Sequence, residues 1–450
     1  MDSWNGGHHM FGFSMVQMVR THASKLDQPL RETVLHLYKP FKWTPCFLHR
    51  FFEGRLKKKK KLRVIIEFKE DAAEAGIQST KQLMKKSRKT NIKRHFSHID
   101  CCAADLTPAA LEELLANGEH IRKIYLDRKV HALLDVATQA SHAEEVIRNR
   151  TTLTGEGITV AVIDTGIYPH EDLDGRIRDF VDFVKQKTKP YDDNGHGTHC
   201  AGDVAGDGAA SDGLYKGPAP KANLIGVKVL NKQGAGSLST IIEGVEWCIQ
   251  FNEDHPDDPI HIISMSLGGA AQRYDDEQDD PMVRAVNAAW DQGIVVCVAA
   301  GNSGPNSQTI ASPAVSQKVI TVGAYDDRNT PESSDDVVAP FSSRGPTVYG
   351  EAKPDILAPG VNIVSLRSPR SFLDKLDKSS RVDEDYTTLS GTSMATPICA
   401  GICALLLEHS PDLTPDEVKT LLKENTGKWS GDDPMIYGAG AIDAEKAIKE

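Results

Sequence analysis

Two periods alternate along most of this chain. Short, unbroken apolar runs cover 158–164, 223–229, 260–265, 293–299, 319–322 and 362–365. Between them lie stretches in which apolar residues recur every three or four positions, over 196–204, 239–252, 281–292, 393–409 and 414–425. The first pattern is that of strands buried on both faces, the second that of helices. Their alternation predicts an α/β fold, a mostly parallel sheet with helices on both faces. In such sheets reactive groups gather outside the carboxyl ends of the strands. Asp164 closes one predicted strand, and Asn302 follows another.

The first third of the chain reads differently. A strand is expected over 62–68, a basic helix or helix and loop over 81–93, and a second strand over 96–104. Thr107 followed by Pro108 and an apolar face through Leu115 marks a capped helix start. Strands follow over 121–126 and 130–134. A small α+β domain of β-α-β-α-β order is therefore expected over 56–134, ahead of a body over 135–450. Residues 1–55 form a helical N-terminal extension, with helical spacing from Val16 to Tyr38. The stretch Ala140 to Ile147 also reads as helix.

Charge sharpens this division. Residues 1–134 carry a net charge of +11, and the remainder carries −22, so the two parts attract. The lysine run Lys57 to Lys61 has no interleaved aromatics, which favours a solvated linker over a nucleic-acid-binding arm. No stretch approaches about 18 consecutive apolar residues, so no membrane span is expected. The N-terminus lacks a basic segment followed by an apolar one, which argues for the cytoplasm. The eight cysteines show no CxxC spacing and fall mostly in apolar surroundings. They read as reduced, buried thiols.

The chemistry centres on Gly391-Thr392-Ser393-Met394-Ala395-Thr396-Pro397, which leads into an apolar helix. Pro397 is tolerated in a first turn, whose N–H groups have no partner to lose. Ser393 would sit where backbone N–H groups and the helix dipole favour negative charge. Alone, it reads as readily as an N-cap. Two other stretches change that balance: Val160-Ala161-Val162-Ile163-Asp164-Thr165-Gly166, and Asp193-Asn194-Gly195-His196-Gly197-Thr198-His199. The order Asp, His, Ser is the one subtilisin uses.

All three stretches resemble the active-site signatures of the subtilisin family, the subtilases. Ala299-Ala300-Gly301-Asn302 resembles that family's oxyanion segment. The resemblance runs from Leu153 to the C-terminus, and the whole chain most resembles the AprX-like intracellular bacterial branch. It implies a subtilisin-like sheet preceded by a propeptide-like α+β domain. It also implies a serine endopeptidase with Asp164, His196 and Ser393 as the triad and Asn302 as oxyanion donor. His199 is expected to be packed or hydrogen-bonded instead. Because all four residues are present, a catalytically silent peptide-binding protein is the weaker alternative.

The same resemblance makes Gly234-Ala235-Gly236 and Ser266-Leu267-Gly268-Gly269 the two edges that grip substrate as an added strand. Ala300 and Gly301, with Ala311-Ser312-Pro313, would wall a roomy uncharged pocket, implying apolar side chains before the cut. The domain over 56–134 would act as chaperone and intramolecular inhibitor, its tail lying in the cleft and cut near 132–136. No cofactor is needed for the chemistry. Asp172 matches a calcium ligand of many secreted subtilases, but the partner loop 206–213 has a different pattern, so structural calcium is weakly indicated. Pro369 to Tyr386 is a polar insertion, readable as a lid or as a disordered loop.

Overall fold

A computed structural model describes residues 14–38, 53–54, 56–58, 60–69, 72–84, 90–127, 129–132, 140–143, 146–328, 335–427, 429 and 431–449. The chain divides into two compact units, Met1–Arg128 and Lys129–Glu450. The division falls before the strand expected at 130–134.

In the first unit, helices α1 (Ser14–Thr21) and α2 (Gln28–Tyr38) precede β1 (Leu62–Phe68), α3 (Ala73–Met84), β2 (Asn91–Phe96), β3 (Cys101–Leu106), α4 (Pro108–Asn117) and β4 (Ile121–Leu126). The sheet is antiparallel, in the order β2-β3-β1-β4. Thr107 accepts from the Ala110 N–H and caps α4, as its Thr-Pro start predicts. Three expectations need correction. The strand expected over 96–104 is two strands, broken at Asp100, which adopts a left-handed φ of 50°. The basic helix lies earlier than expected, over 73–84, because its apolar face is carried by Ile77 and Met84. The helices of 14–38 are not a separate extension. Met15, Leu30 and Val34 share one core with Val64, Ile66, Leu111 and Leu114. The lysine run is partly neutralised within this unit, Lys57 by Glu112 at 2.6 Å and Lys61 by Asp105 at 2.5 Å.

The second unit opens with β5 (Lys129–Ala132). Its main sheet is built from β6 (Thr159–Asp164), β7 (Ile177–Asp182), β8 (Asn223–Lys228), β10 (Ile262–Met265), β12 (Val295–Ala299), β13 (Ile320–Asp326), β14 (Val337–Val338) and β15 (Ile356–Pro359). The order is β14-β13-β12-β10-β6-β8-β7, with β15 also on β13. Every pairing is parallel except β13 with β14. β6 and β12 are buried at every position, so both faces of the sheet are covered. The short strands β9 (Ala235–Ser237) and β11 (Leu267–Gly268) lie apart from this sheet.

The helices are α5 (His196–Ala205), α6 (Leu238–Asp254), α7 (Pro281–Asp291), α9 (Thr392–His409) and α10 (Pro415–Glu424), with a short α8 (Phe372–Leu376). α9 has the length and apolarity of a membrane span, but 89% of it is buried inside the fold, which makes it a core helix. The described part of 140–147 is not helical: Tyr325 Oη donates to the Ala140 carbonyl, and the Ala143 N–H donates to the Ser141 carbonyl in a tight turn. The insertion holds a short helix and paired strands, so it is not an unstructured loop. Ser371 caps α8, and the Phe372 and Leu373 N–H groups donate to the Asp193 and Asn194 carbonyls at 3.0 and 2.9 Å.

Candidate active site

The site starts at the carboxyl end of β6. Asp164 is fully buried there, and α5 begins against it. This approach requires glycine at 197. A Cβ on Gly197 would lie 2.2 Å from the Gly166 carbonyl and 3.1 Å from Asp164 Cβ. The approach delivers His196 Nδ1 to 2.8 Å from Asp164 Oδ1 and 2.9 Å from Oδ2. A carboxylate only accepts, so Nδ1 carries the proton and Nε2 is the basic nitrogen. Burial pushes the imidazole pKa down, but the adjacent Asp164 carboxylate outweighs it, and the pKa sits well above the ordinary histidine value.

The loop before α5 is organised by Asp192, a residue the motif does not single out. Its Oδ1 accepts from Thr165 Oγ1, Asn194 N and Gly195 N at 3.0, 3.0 and 2.9 Å. Its Oδ2 accepts from Thr198 N and Oγ1 at 3.0 and 2.8 Å. Thr165 in turn accepts from the Gly197 N–H at 2.9 Å, so one carboxylate fixes both the strand end and the helix start. His199 faces elsewhere. Its Nδ1 meets Asp203 at 2.9 Å and its Nε2 the Ile363 carbonyl at 3.1 Å.

Ser393 lies in the first turn of α9, fully buried. Ser393 Oγ donates to the Ser266 carbonyl at 3.4 Å, and Ser266 Oγ donates to the Ser393 carbonyl at 2.7 Å. Cys200 ties the three elements together. Its Sγ is 4.0 Å from Asp164 Oδ2, 3.8 Å from His196 Nδ1 and 3.5 Å from the Ser393 carbonyl. Burial raises this thiol to about 11, so it stays protonated beside the pair. The sequence marked Cys200 only as a buried thiol; its position four residues after His196, one turn along α5, was the available signal.

Asn302 follows β12. Its Oδ1 accepts from the Thr392 N–H and Oγ1, both at 3.0 Å. Thr392 Oγ1 also accepts from the Gly301 N–H at 3.2 Å. Asn302 Nδ2 is buried and has no hydrogen-bond partner among the described residues. An unpaired buried amide is costly unless a ligand completes it. This one is a donor held beside the helix start that carries Ser393.

The two predicted edge segments flank β5. β5 pairs antiparallel with β9, His131 opposite Ala235 and Val130 opposite Gly236. On its other side it pairs with β11, Ala132 opposite Leu267 and His131 opposite Gly268. Gly234 turns into β9 with φ of 70°, its N–H donating to the Asn231 carbonyl at 2.8 Å. Gly269 and Ser312 exchange backbone hydrogen bonds at 2.9 and 3.0 Å, and the Ala311 N–H donates to the Ala300 carbonyl at 2.9 Å. A Cβ on Gly268 would lie 3.1 Å from Ala311 Cβ, and one on Gly301 3.2 Å from it. Ala300, Gly301, Gly268 and Ala311 are thereby brought together. Residues 133–134, where the tail was expected to continue, lie outside the described residues.

Asp172 does not fit a calcium ion. The carboxylate is fully buried, but Oδ1 accepts from the Ala210 N–H at 2.9 Å and Oδ2 from Tyr386 Oη at 2.7 Å. His170 Nδ1 lies 3.6 Å away. Positive charge is already supplied by Arg176, which donates to the carbonyls of Asp172 and Ala205 and pairs with Asp207 at 3.3 Å. The oxygens a hard cation would gather are committed to protein donors.

Residues 155–440 match the family model described as the subtilase family, Peptidase_S8. The chain is 69% identical to Serine protease AprX of Bacillus subtilis (strain 168) over 439 residues, covering 98% of this chain and 99% of that one. It is 31% identical to a thermostable alkaline protease of Halalkalibacterium halodurans over 392 residues, covering 87% and 92% of the two. Among solved structures it resembles fervidolysin of Fervidobacterium pennivorans, a keratinolytic enzyme related to subtilisin. The TM-score is 0.65 at 21% identity, over 86% of this chain and 61% of that one. That structural likeness carries the subtilisin-like fold, and the near full-length sequence match carries the activity. The chain belongs to the subtilase family and is an AprX-like serine endopeptidase.

Proposed function

We propose that Asp164, His196 and Ser393 form the triad, and that Asn302 and the Ser393 N–H bind the oxyanion. The observation behind this is the convergence on Cys200, whose Sγ lies within 4.0 Å of an atom of each triad residue. Ser393 Oγ attacks the peptide carbonyl while His196 Nε2 takes its proton. Asp164 holds the tautomer and stabilises the imidazolium. The oxyanion receives the Asn302 Nδ2–H that otherwise has no acceptor. Collapse returns the His196 proton to the leaving amine, and water repeats the sequence to free the acid.

We further propose that the chain is made as a zymogen whose own β5 occupies the substrate strand. The antiparallel pairing of β5 with both β9 and β11 supports this. β11 follows directly on Ser266, whose carbonyl is 3.4 Å from Ser393 Oγ, so a chain that runs on past β5 is cut near 132–136. Leu133 or Leu134 then supplies the side chain before the cut, for a pocket walled by Ala300, Gly301 and Ala311. Such a pocket suits apolar side chains. The free, buried cysteines support a reducing, cytoplasmic setting.

Intact mass followed over time, for wild type beside Ser393→Ala, tests both proposals. Wild type should shorten to a species beginning near 133–136 while the variant stays full length. Casein turnover by wild type with no shortening would keep the triad and sink self-removal. Turnover by the Ser393→Ala chain equal to wild type would remove the triad assignment.

A further inference from the structure

Behind the serine helix lies a second cluster that the proposed mechanism does not use. Cys399 and Cys403 stand one turn apart on α9, and Cys297 reaches them from β12. All three are fully buried. Their sulfurs lie within 4.8 Å of one another, and Cys297 Sγ is 3.9 Å from Cys403 Sγ. A metal–thiolate bond of about 2.3 Å, in a trigonal plane, sets its sulfurs about 4 Å apart.

We propose that Cys297, Cys399 and Cys403 form a site for a soft monovalent cation, copper(I), between β12 and α9. Two features select that class. All the donors are sulfur, which favours soft ions over calcium, magnesium or manganese. Among the described residues the three sulfurs stand without a fourth donor, which suits a trigonal ion, whereas structural zinc takes four ligands. No electron is transferred; each cysteine that binds gives up its thiol proton to solvent as its sulfur–copper bond forms.

The position gives the site a consequence. Cys297 lies five residues before Asn302, and Cys399 lies six residues after Ser393. A bound ion would fasten the strand that leads to the oxyanion donor to the helix that begins at the nucleophile.

The test uses the full-length, reduced Ser393→Ala chain, which cannot digest itself. Copper(I) is supplied alone, from its bathocuproine disulfonate complex, and retention against that chelator is measured with X-ray absorption at the metal. One copper per chain in a shell of three sulfurs is expected. Adding Cys403→Ala or Cys297→Ala should weaken retention at least tenfold, and adding Cys248→Ala should leave it unchanged. Equal retention after either cluster substitution overturns the proposal. So does a shell containing nitrogen, which would move the ion to His196 and Cys200. If the cluster variants do not fold, the shell in the chain with all its cysteines decides: three sulfurs sustain the site and two remove it.

Discussion

Thr392 holds Asn302 by its carbonyl end, donating both its N–H and its hydroxyl to Asn302 Oδ1 at 3.0 Å. That grip leaves only the NH₂ end to face outward, and Nδ2 is the end without a partner. The amide is oriented before substrate arrives, so no reorganisation is needed when charge develops. Asn302→Ala should lower kcat by about 100- to 1,000-fold with little change in KM, the scale known from subtilisin's own oxyanion donor. Thr392→Val keeps the shape and removes one of the two restraints. It should cost kcat about tenfold, roughly 1.4 kcal/mol in the barrier. A Thr392→Val enzyme with wild-type kcat would show that the backbone N–H alone orients the amide.

Asp192 is predicted to matter more than its absence from the signature suggests. It accepts four hydrogen bonds from the segment that presents His196 and a fifth from Thr165 at the end of β6. Asparagine would put an NH₂ where one pair of donors now points. Asp192→Asn in the Ser393→Ala chain should lose about 2–4 kcal/mol of stability by urea unfolding. A loss below roughly 0.5 kcal/mol would mean the loop is held by its backbone alone.

The pH profile follows from the Asp164–His196 pair. The proposed mechanism needs neutral His196, and Asp164 holds its pKa well above the ordinary value. The acidic limb of kcat/KM should therefore lie above pH of about 6.5. Asp164→Asn should move that limb downward and reduce kcat by about 10⁴-fold, the scale of the same substitution in another Ser-His-Asp protease. For stability the sign reverses. The raised pKa stabilises the fold fully below about pH 6.5, and that contribution is lost as pH rises through the folded value. His170, raised by Asp172 against burial, adds in the same direction. An unfolding free energy that climbs across this range would contradict both.

Arg176 predicts indifference to chelators. Because its guanidinium already gathers the carbonyls around Asp172, EDTA should leave the unfolding midpoint of the Ser393→Ala chain within about 1 °C, against the 2–4 °C that 1 kcal/mol shifts in larger domains. Arg176→Gln should lower that midpoint by several degrees. A clear drop with EDTA that added calcium restores would return a metal to this loop.

What was legible in the sequence was what is local. The strand ending on Asp164, the glycine-flanked His196 and the small residues around Ser393 each announce their geometry within a few positions. The helix start at Thr107-Pro108 was read for the same reason. What escaped was long-range. Asp192 looks like any loop carboxylate until Thr165, 27 residues earlier, donates to it. Arg176 looks like any loop cation in the sequence, yet it donates to the Ala205 and Ala222 carbonyls, 29 and 46 positions away. The thiols of Cys297 and Cys403 stand 106 positions apart. The break at Asp100 was missed because apolar residues continue on both sides of the turn.

The three-stranded arrangement of β9, β5 and β11 also bears on solubility. Strand margins with unmatched amide and carbonyl groups are templates for any extended polypeptide, including another copy of the same chain. A protease that grips its targets by backbone alone must keep two such margins ready. While Lys129–Ala132 lies between them, both are satisfied. On the proposed zymogen reading, the segment that withholds activity would also withhold stickiness, and a chain that lost it would trade colloidal safety for access to substrate.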